Sequence, residues 1–287
     1  MMVFPHCKIN LGLQILHRRD DGFHALQTIF YPVALHDVLE IIRHPQPTQA
    51  KQEISFSSSG KTIAGTTDDN LCIKAYTLIK NDFPSLPPIQ MHLHKKIPMG
   101  AGLGGGSSDG AFALQLINDF FQLNISAAQL AAYALQLGSD CPFFLHRQPC
   151  YATGRGEILE PIELNLTDWN LVLVNPGIHV HTGKAFSMLQ RGMETITDLP
   201  DLRSIVQEDP KNWKGKLIND FEAPVCALHP EIAAIRDQLY TAGAVYASMT
   251  GSGSTVYGIF PADSNSEFSF PSSFEIFRLS AKQSVFK

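Results

Sequence analysis

Charge is scarce in this chain. Aspartate, glutamate, lysine and arginine make up 17% of its 287 residues, against roughly 25% in an average soluble domain. Neither sign dominates: 22 basic and 27 acidic side chains leave a formal charge of −5 and a pI near 6.1. That balance excludes a coat for nucleic acid or a membrane surface and leaves room only for a small, locally basic site. Cysteine is rare too. Cys7, Cys72, Cys141, Cys150 and Cys226 are scattered without Cys-x-x-Cys spacing, which reads as reduced thiols in a cytosolic protein rather than a disulfide framework. No run of about 18 apolar residues is present to span a bilayer. The opening segment lacks a basic n-region, and Lys8 and Asn10 interrupt its apolar run, so no signal peptide is expected. The expected location is the cytoplasm, without nucleic-acid or membrane partners, and the oligomeric state is left open.

Apolar surface, by contrast, is plentiful. Hydrophobic residues reach 44%, enough for a sizeable core, and at roughly 150 residues per domain the length suggests two lobes or one large domain. Loose alternation over residues 3–16 predicts a strand, and Thr28 to Ile42 a second. The polar segment from Arg43 to Thr67, with Pro45, Pro47 and a serine run, predicts a hairpin and its loops. Asp68-Asp69-Asn70 would cap a helix with Leu71, Ala75, Leu78 and Ile79 on its apolar face, ended by Pro84, Pro87 and Pro88. Ile89 to Leu93 alternates as a short strand. Helical spacing recurs from Asp109 to Leu123, and Ser126, Gln129 and Gly138 mark the start and stop of a further helix. In the second half, strands are expected at Asn170–Val174, Val245–Met249 and Thr255–Phe260, and helices around Thr182–Leu189, Leu202–Gln207 and Glu231–Ala242. The fold class is α+β with two lobes. A composition shift between Glu160 and Trp169 sets the division at residues 1–160 and 161–287. The Ser- and Phe-rich tail beyond Pro261 has no placement.

The strongest local feature is Pro98-Met99-Gly100-Ala101-Gly102-Leu103-Gly104-Gly105-Gly106-Ser107-Ser108, running directly into a predicted helix. So many glycines let backbone N–H groups converge on a ligand without interference from Cβ atoms. A helix N-terminus adds unpaired donors and the positive end of a macrodipole, a pocket suited to phosphate. Ser107 and Ser108 supply hydroxyls. A literal Gly-x-Gly-x-x-Gly lies inside the segment, but a dinucleotide fold needs an acidic residue ending a second strand about 20 residues on. Asp119 falls near that distance inside a helix, so the dehydrogenase reading is weak. Gly177 to Lys184 has the wrong spacing for a Walker loop, and Ala185 stands where Ser or Thr is required. The pairs His92/His94 and His179/His181 lack a third ligand at suitable spacing and read as ordinary surface or packed histidines.

Three segments together resemble the motifs of the GHMP small-molecule kinases: Pro5-His6-Cys7-Lys8-Ile9-Asn10-Leu11, the glycine loop at 98–108, and Met249-Thr250-Gly251-Ser252-Gly253-Ser254-Thr255. Arg18 to His24, Gly138 to Phe144 and Asn219 to Glu222 support a match, in order from about residue 3 to 260. They point to the branch whose acceptor is a cytidine diphosphate derivative of methylerythritol. The resemblance implies an N-terminal and a C-terminal α/β lobe with the active site between them, ATP as phosphoryl donor with Mg²⁺, and a place in non-mevalonate isoprenoid biosynthesis. It implies Lys8 and Asp140 as the catalytic pair and Asn10 as an orienting residue. Pro98, Met99, Gly100, Ala101, Gly102, Leu103, Gly104, Gly105, Gly106, Ser107 and Ser108 would wrap the ATP phosphates, with Asn70, Leu71 and Lys95 near the nucleoside. Phe23, His24, Tyr31, Thr182 and Phe186 would hold the cytidine end of the acceptor. Direct protein ligands of the metal are not identified.

The residues have plainer readings as well. Lys8 could be an edge-strand lysine that blocks aggregation, although its spacing from Asn10 puts both on one strand face. Asp140 could cap a helix terminus, and Phe23, Tyr31 and Phe186 could be core aromatics. Rival functions are a homoserine, mevalonate or sugar kinase of the same superfamily, a nucleotide-binding protein without catalysis, and the dehydrogenase.

Overall fold

The computed structural model describes residues 1–44, 53–63, 65–66, 69–189, 192, 196 and 198–280. Strands β1 (Met2–Val3), β2 (His6–Arg18), β3 (His24–His36), β4 (Val38–Arg43) and β5 (Ile54–Gly60) precede helix α1 (Leu71–Asp82). Strand β6 (Ile89–Lys95) leads through the glycine loop to α2 (Gly105–Phe121), α3 (Ala127–Leu137) and α4 (Phe143–His146). Then come β7 (Cys150–Thr153), β8 (Ile158–Pro161), β9 (Trp169–Asn175), α5 (Thr182–Leu189), α6 (Leu202–Val206), α7 (Glu222–Leu228) and α8 (Pro230–Thr241). Strands β10 (Tyr246–Met249), β11 (Val256–Pro261) and β12 (Glu275–Leu279) complete the series.

These elements form two compact units that interleave along the chain. One comprises Met1–Cys7, Leu35–Met99 and Gly104–Arg147; the other comprises Lys8–Ala34, Gly100–Leu103 and Gln148–Lys287. The sequence division at residue 160 follows chain order, whereas β2 and β3 lie in one sheet with β7 and β8. Residues 8–34 therefore group with the C-terminal part of the chain.

In the first unit the sheet order is β1-β4-β6-β5. Burial alternates along β6: Ile89, Met91, Leu93 and Lys95 point inward, and the residues between them are half-buried or exposed, as a strand with one covered face requires. The inward face of α1 carries Cys72, Ala75, Tyr76 and Ile79. Leu71 and Leu78, expected on that face, are only half-buried. Asn70 does cap α1, its side chain accepting from Cys72 N at 2.9 Å; Asp68 lies outside the described residues. The predicted strand from Thr28 to Ile42 breaks at buried Asp37, dividing it into β3 and β4. The predicted hairpin in 43–67 is replaced, among the described residues, by β5 lying parallel to β6; residues 45–52, 64 and 67 lie outside them. A parallel neighbour requires a crossover rather than a tight turn.

In the second unit, β2-β3-β7-β8 form one sheet and β10-β11-β9-β12 another. Leu13, Ile15, Val172, Val174, Phe221, Val225, Ile235, Leu239 and Phe260 share a core there, and Phe268, Phe270 and Phe274 of the tail pack against it. The tail also supplies β12, antiparallel to β9, which accounts for its aromatic content. No helix among the described residues is long and apolar enough to cross a membrane.

Candidate active site

Three segments far apart in sequence meet in the second unit. Lys8 N donates to Leu103 O at 3.0 Å and Thr255 N to Ala101 O at 3.3 Å, while Thr250 Oγ1 donates to Gly102 O at 3.2 Å. The approach leaves no room for a side chain: a Cβ on Gly102, whose φ is +78°, would stand 2.0 Å from Thr250 O. Gly100, at φ +61°, lies under His179, whose Nδ1 would be 2.3 Å from an added Cβ.

Lys8 and Asn10 share one face of β2. Lys8 Nζ donates to Asn10 Oδ1 at 2.6 Å and sits 4.9 Å from the centre of the Phe30 ring. Although β2 is an edge strand, Lys8 is only 3% exposed, unlike a lysine kept in solvent to block pairing. Asn10 is held from several sides: its Nδ2 donates to Thr28 Oγ1 at 3.0 Å, its backbone N donates to Thr250 Oγ1 at 3.0 Å, and its carbonyl accepts from Tyr257 OH at 2.9 Å. Asn219, singled out in the sequence only as part of a supporting stretch, donates to Met249 O at 2.7 Å and Gly251 O at 2.8 Å. It thereby ties down the backbone around Thr250. Glu222 adds to this by accepting from Met249 N at 2.7 Å.

Of the residues expected to hold the acceptor, His24 and Phe186 come together with ring centroids 4.5 Å apart and planes 15° from parallel. Burial, with Arg18 and His17 nearby, lowers the His24 pKa and favours the neutral ring. Thr182 Oγ1 and Ser252 Oγ are 3.1 Å apart. Phe23 is exposed and carries the Arg155 guanidinium 4.6 Å above its ring. Burial raises the Tyr31 phenol, whose hydroxyl bonds the backbone at Leu166.

The first unit holds the helical end of the glycine loop. Gly104 is the N-cap of α2 in the left-handed region, with φ +70°, so Gly105, Gly106, Ser107 and Ser108 form the first helical turn rather than a loop before it. The first-turn N–H groups of a helix have no intrahelical partner. Ser108 Oγ is buried with no partner among the described residues. Ser107 bonds the Cys141 thiol, whose pKa burial pushes up to about 12. The Asp140–Cys141 segment is thus brought beside α2. Pro98 is buried and Met99 exposed; Met99 Cε would lie 4.0 Å from a Cβ on Gly106. Leu71 packs against α2 at Gly110, where an added Cβ would stand 2.8 Å from Leu71 Cβ.

Lys95 is the centre of a buried ion-pair cluster. Its side chain is wholly buried and pairs with Asp37 Oδ2 at 2.5 Å and Asp109 Oδ2 at 2.6 Å, so its ammonium is turned into the protein. Burial raises the Asp109 pKa, against the opposing pull of Lys95. Asp37 and Asp109 were not singled out in the sequence. The signal available was the alternation Ile89, Met91, Leu93, Lys95, which assigns Lys95 to the inward face. His92 and His94 bond serine hydroxyls: His92 lies 2.8 Å from Ser57 Oγ and 2.9 Å from Ser59 Oγ, and His94 lies 3.0 Å from Ser59 Oγ.

Comparison with known proteins identifies the family. The family model described as GHMP kinases N terminal domain matches residues 70–148, and GHMP kinases C terminal matches 198–269. The 4-diphosphocytidyl-2-C-methyl-D-erythritol kinase of Bacteroides thetaiotaomicron is 47% identical over 260 residues, covering 91% of this chain and 92% of the relative. A crystal structure of 4-(cytidine 5'-diphospho)-2C-methyl-D-erythritol kinase superposes with a TM-score of 0.74 at 31% identity, covering 92% of this chain and 90% of that one. The Methanococcus jannaschii mevalonate kinase has a TM-score of 0.67 at 14% identity, covering 97% of each chain, a likeness of fold alone. By identity over nearly its whole length, the chain belongs to the 4-diphosphocytidyl-2-C-methyl-D-erythritol kinase family of GHMP kinases.

Proposed function

We propose that the chain transfers the γ-phosphoryl group of ATP to the 2-hydroxyl of 4-diphosphocytidyl-2-C-methyl-D-erythritol, giving the 2-phosphate and ADP, within non-mevalonate isoprenoid precursor biosynthesis. The observation that carries this reading is the meeting of residues 8–10, 101–103 and 250–255, which joins a buried, oriented lysine to the glycine loop. Phosphoryl transfer asks a protein mainly for positioning and charge neutralisation. N–H groups of the loop and of the first turn of α2 take the triphosphate. Asp140 accepts the proton of the attacking hydroxyl, and Lys8, aimed by Asn10, offsets charge on the transferring group. His24 and Phe186 engage the cytosine by stacking and by the polar edge of the imidazole, and Phe23, Tyr31 and Thr182 complete the acceptor side. Asn70 and Leu71 lie on the nucleoside side of the donor.

Magnesium fits the oxygen chemistry of this loop. Mg²⁺ is commonly held by one or two protein oxygens together with substrate phosphates, and Ser108 Oγ, buried and without a partner among the described residues, is an oxygen of that kind, with Ser107 Oγ and the Asp140 carboxylate on neighbouring segments. When bound, the ion would neutralise charge on the phosphates.

An ADP-release assay with MgATP tests the reading. Turnover is expected with the full acceptor and very little with methylerythritol phosphate lacking the cytidine, because remote binding energy helps align the reacting hydroxyl. Preference for homoserine or mevalonate would move the chain to another branch of the superfamily.

A further inference from the structure

The Asp37–Lys95–Asp109 cluster has no part in the chemistry just described, yet it stands at both ends of the glycine loop. Asp37 lies at the corner between β3 and β4. Its Oδ1 accepts from Lys96 N at 2.5 Å and Ile97 N at 2.8 Å, the backbone that enters the loop. Its Oδ2 accepts from Lys95 Nζ, the last side chain of β6. The same ammonium donates to Asp109 Oδ2 in the second turn of α2, past the loop's exit. A Cβ on Gly105 would be 3.0 Å from Lys95 Nζ, so the ammonium sits directly beneath the first residue of α2. One buried cation therefore fixes the end of β6 to the start of α2.

Stability alone is a poor reason for such a cluster, since well-packed apolar residues often do as well as a buried ion pair. Ion pairs with short hydrogen bonds do impose distance and direction. We propose that Asp37, Lys95 and Asp109 are positioning residues for the phosphoryl donor, setting the first turn of α2 relative to β6 so that its N–H groups converge on the triphosphate. This rests on the reading of the glycine loop as the triphosphate site. Because the Lys95 head is enclosed, its effect reaches the phosphates and is indifferent to the nucleoside.

The test is calorimetric binding of MgATP and of magnesium tripolyphosphate to wild type, Lys95→Met, Asp109→Leu and Asp109→Asn, with steady-state kinetics and thermal melts alongside. Lys95→Met and Asp109→Leu are expected to weaken both ligands by the same factor, about tenfold or more. The KM for ATP should rise in step while kcat stays within about threefold. Asp109→Asn, which keeps an oxygen acceptor for the ammonium, should recover most of what Asp109→Leu loses. If Lys95→Met fails to fold, the two Asp109 variants carry the comparison. Loss of ATP binding with tripolyphosphate binding intact would return Lys95 to the nucleoside and overturn the proposal. So would a lowered melting temperature with unchanged affinities. Failure of wild type to bind either ligand would instead overturn the reading of the loop.

Discussion

The His24 imidazole lies flat against the Phe186 ring, with centroids 4.5 Å apart and planes 15° from parallel. Phe186 is itself backed edge-on by Phe221 at 4.9 Å, so the pair presents a braced aromatic platform. Stacking of a base on an aromatic side chain is worth about 1–3 kcal/mol by alanine substitution. Phe186→Ala should therefore raise the KM for the cytidine-bearing acceptor by roughly ten- to a hundredfold and leave the KM for ATP nearly unchanged. Equal effects on the two substrates would remove Phe186 from acceptor recognition.

Asp140→Asn keeps size but removes the carboxylate proposed to accept the proton. General-base contributions are roughly 10²- to 10⁴-fold, so kcat should fall by that order while ATP affinity holds. Lys8→Ala should also be severe, since it takes away the ammonium bonded to Asn10 Oδ1 at 2.6 Å. The two losses should be non-additive in the double variant if the residues work as a unit. Near-normal turnover by folded Asp140→Asn would show that another group takes the proton.

Gly102 tests the contact between the loop and the turn around Thr250. Alanine there would adopt φ +78° with its Cβ 2.0 Å from Thr250 O. Strain of this backbone type alone costs about 1–3 kcal/mol, and the overlap with a carbonyl adds to it. Gly102→Ala should lower the melting temperature and weaken ATP binding together. Gly177→Ala is the control: its φ is +76°, but among the described residues nothing lies within 4 Å of an added Cβ, so it carries the backbone strain without the overlap. Equal behaviour of the two variants would show that the contact with Thr250 adds nothing.

Much of this was legible in the chain because local chemistry and fold agree. Ser126 and Gly138 bracket α3 as their capping chemistry requires: Ser126 Oγ accepts from Gln129 N at 3.2 Å, and Gly138 is the C-cap. The spacing of Lys8 and Asn10 foretold a shared strand face, and the 2.6 Å bond between them occupies it. Other features depended on partners distant in sequence. Nothing near Asp37 announces that its carboxylate will receive Lys95 from 58 residues away, and the segment holding β5 reads as a hairpin with its loops until β6 lies parallel beside it. The interleaving of the two units likewise follows from strand pairing, which composition does not encode. Lys95 is the instructive case. Only the resemblance points to Lys95, whereas the period-two burial of Ile89, Met91 and Leu93 assigns its side chain to the inward face, where it meets Asp37 and Asp109.

His6 gives a pH dependence of stability that involves no substrate. Its ring is enclosed by Phe112 at 5.6 Å, Phe143 at 6.4 Å and Phe144 at 5.4 Å, with Nδ1 2.9 Å from Cys7 O. Burial lowers its pKa from 6.5 to about 4 against the opposing hydrogen bond to Cys7 O, with His36 and Arg147 adding to the lowering. The unfolded chain therefore takes up a proton at this residue before the folded chain does. Stability from the neutral ring is fully present above pH 6.5 and is lost as pH falls toward 4. The shift corresponds to about 3 kcal/mol at one pKa unit per 1.36 kcal/mol. Urea denaturation of wild type and His6→Phe at pH 7, 5.5 and 4.5 isolates the effect, because the other histidines are common to both proteins. The free energy of unfolding of wild type should drop more steeply over that range, so that the gap between the two proteins shifts in favour of His6→Phe as the medium is acidified. Parallel curves would mean that the folded chain takes up the proton at His6 as readily as the unfolded one, and the aromatic cage would then have no part in acid sensitivity.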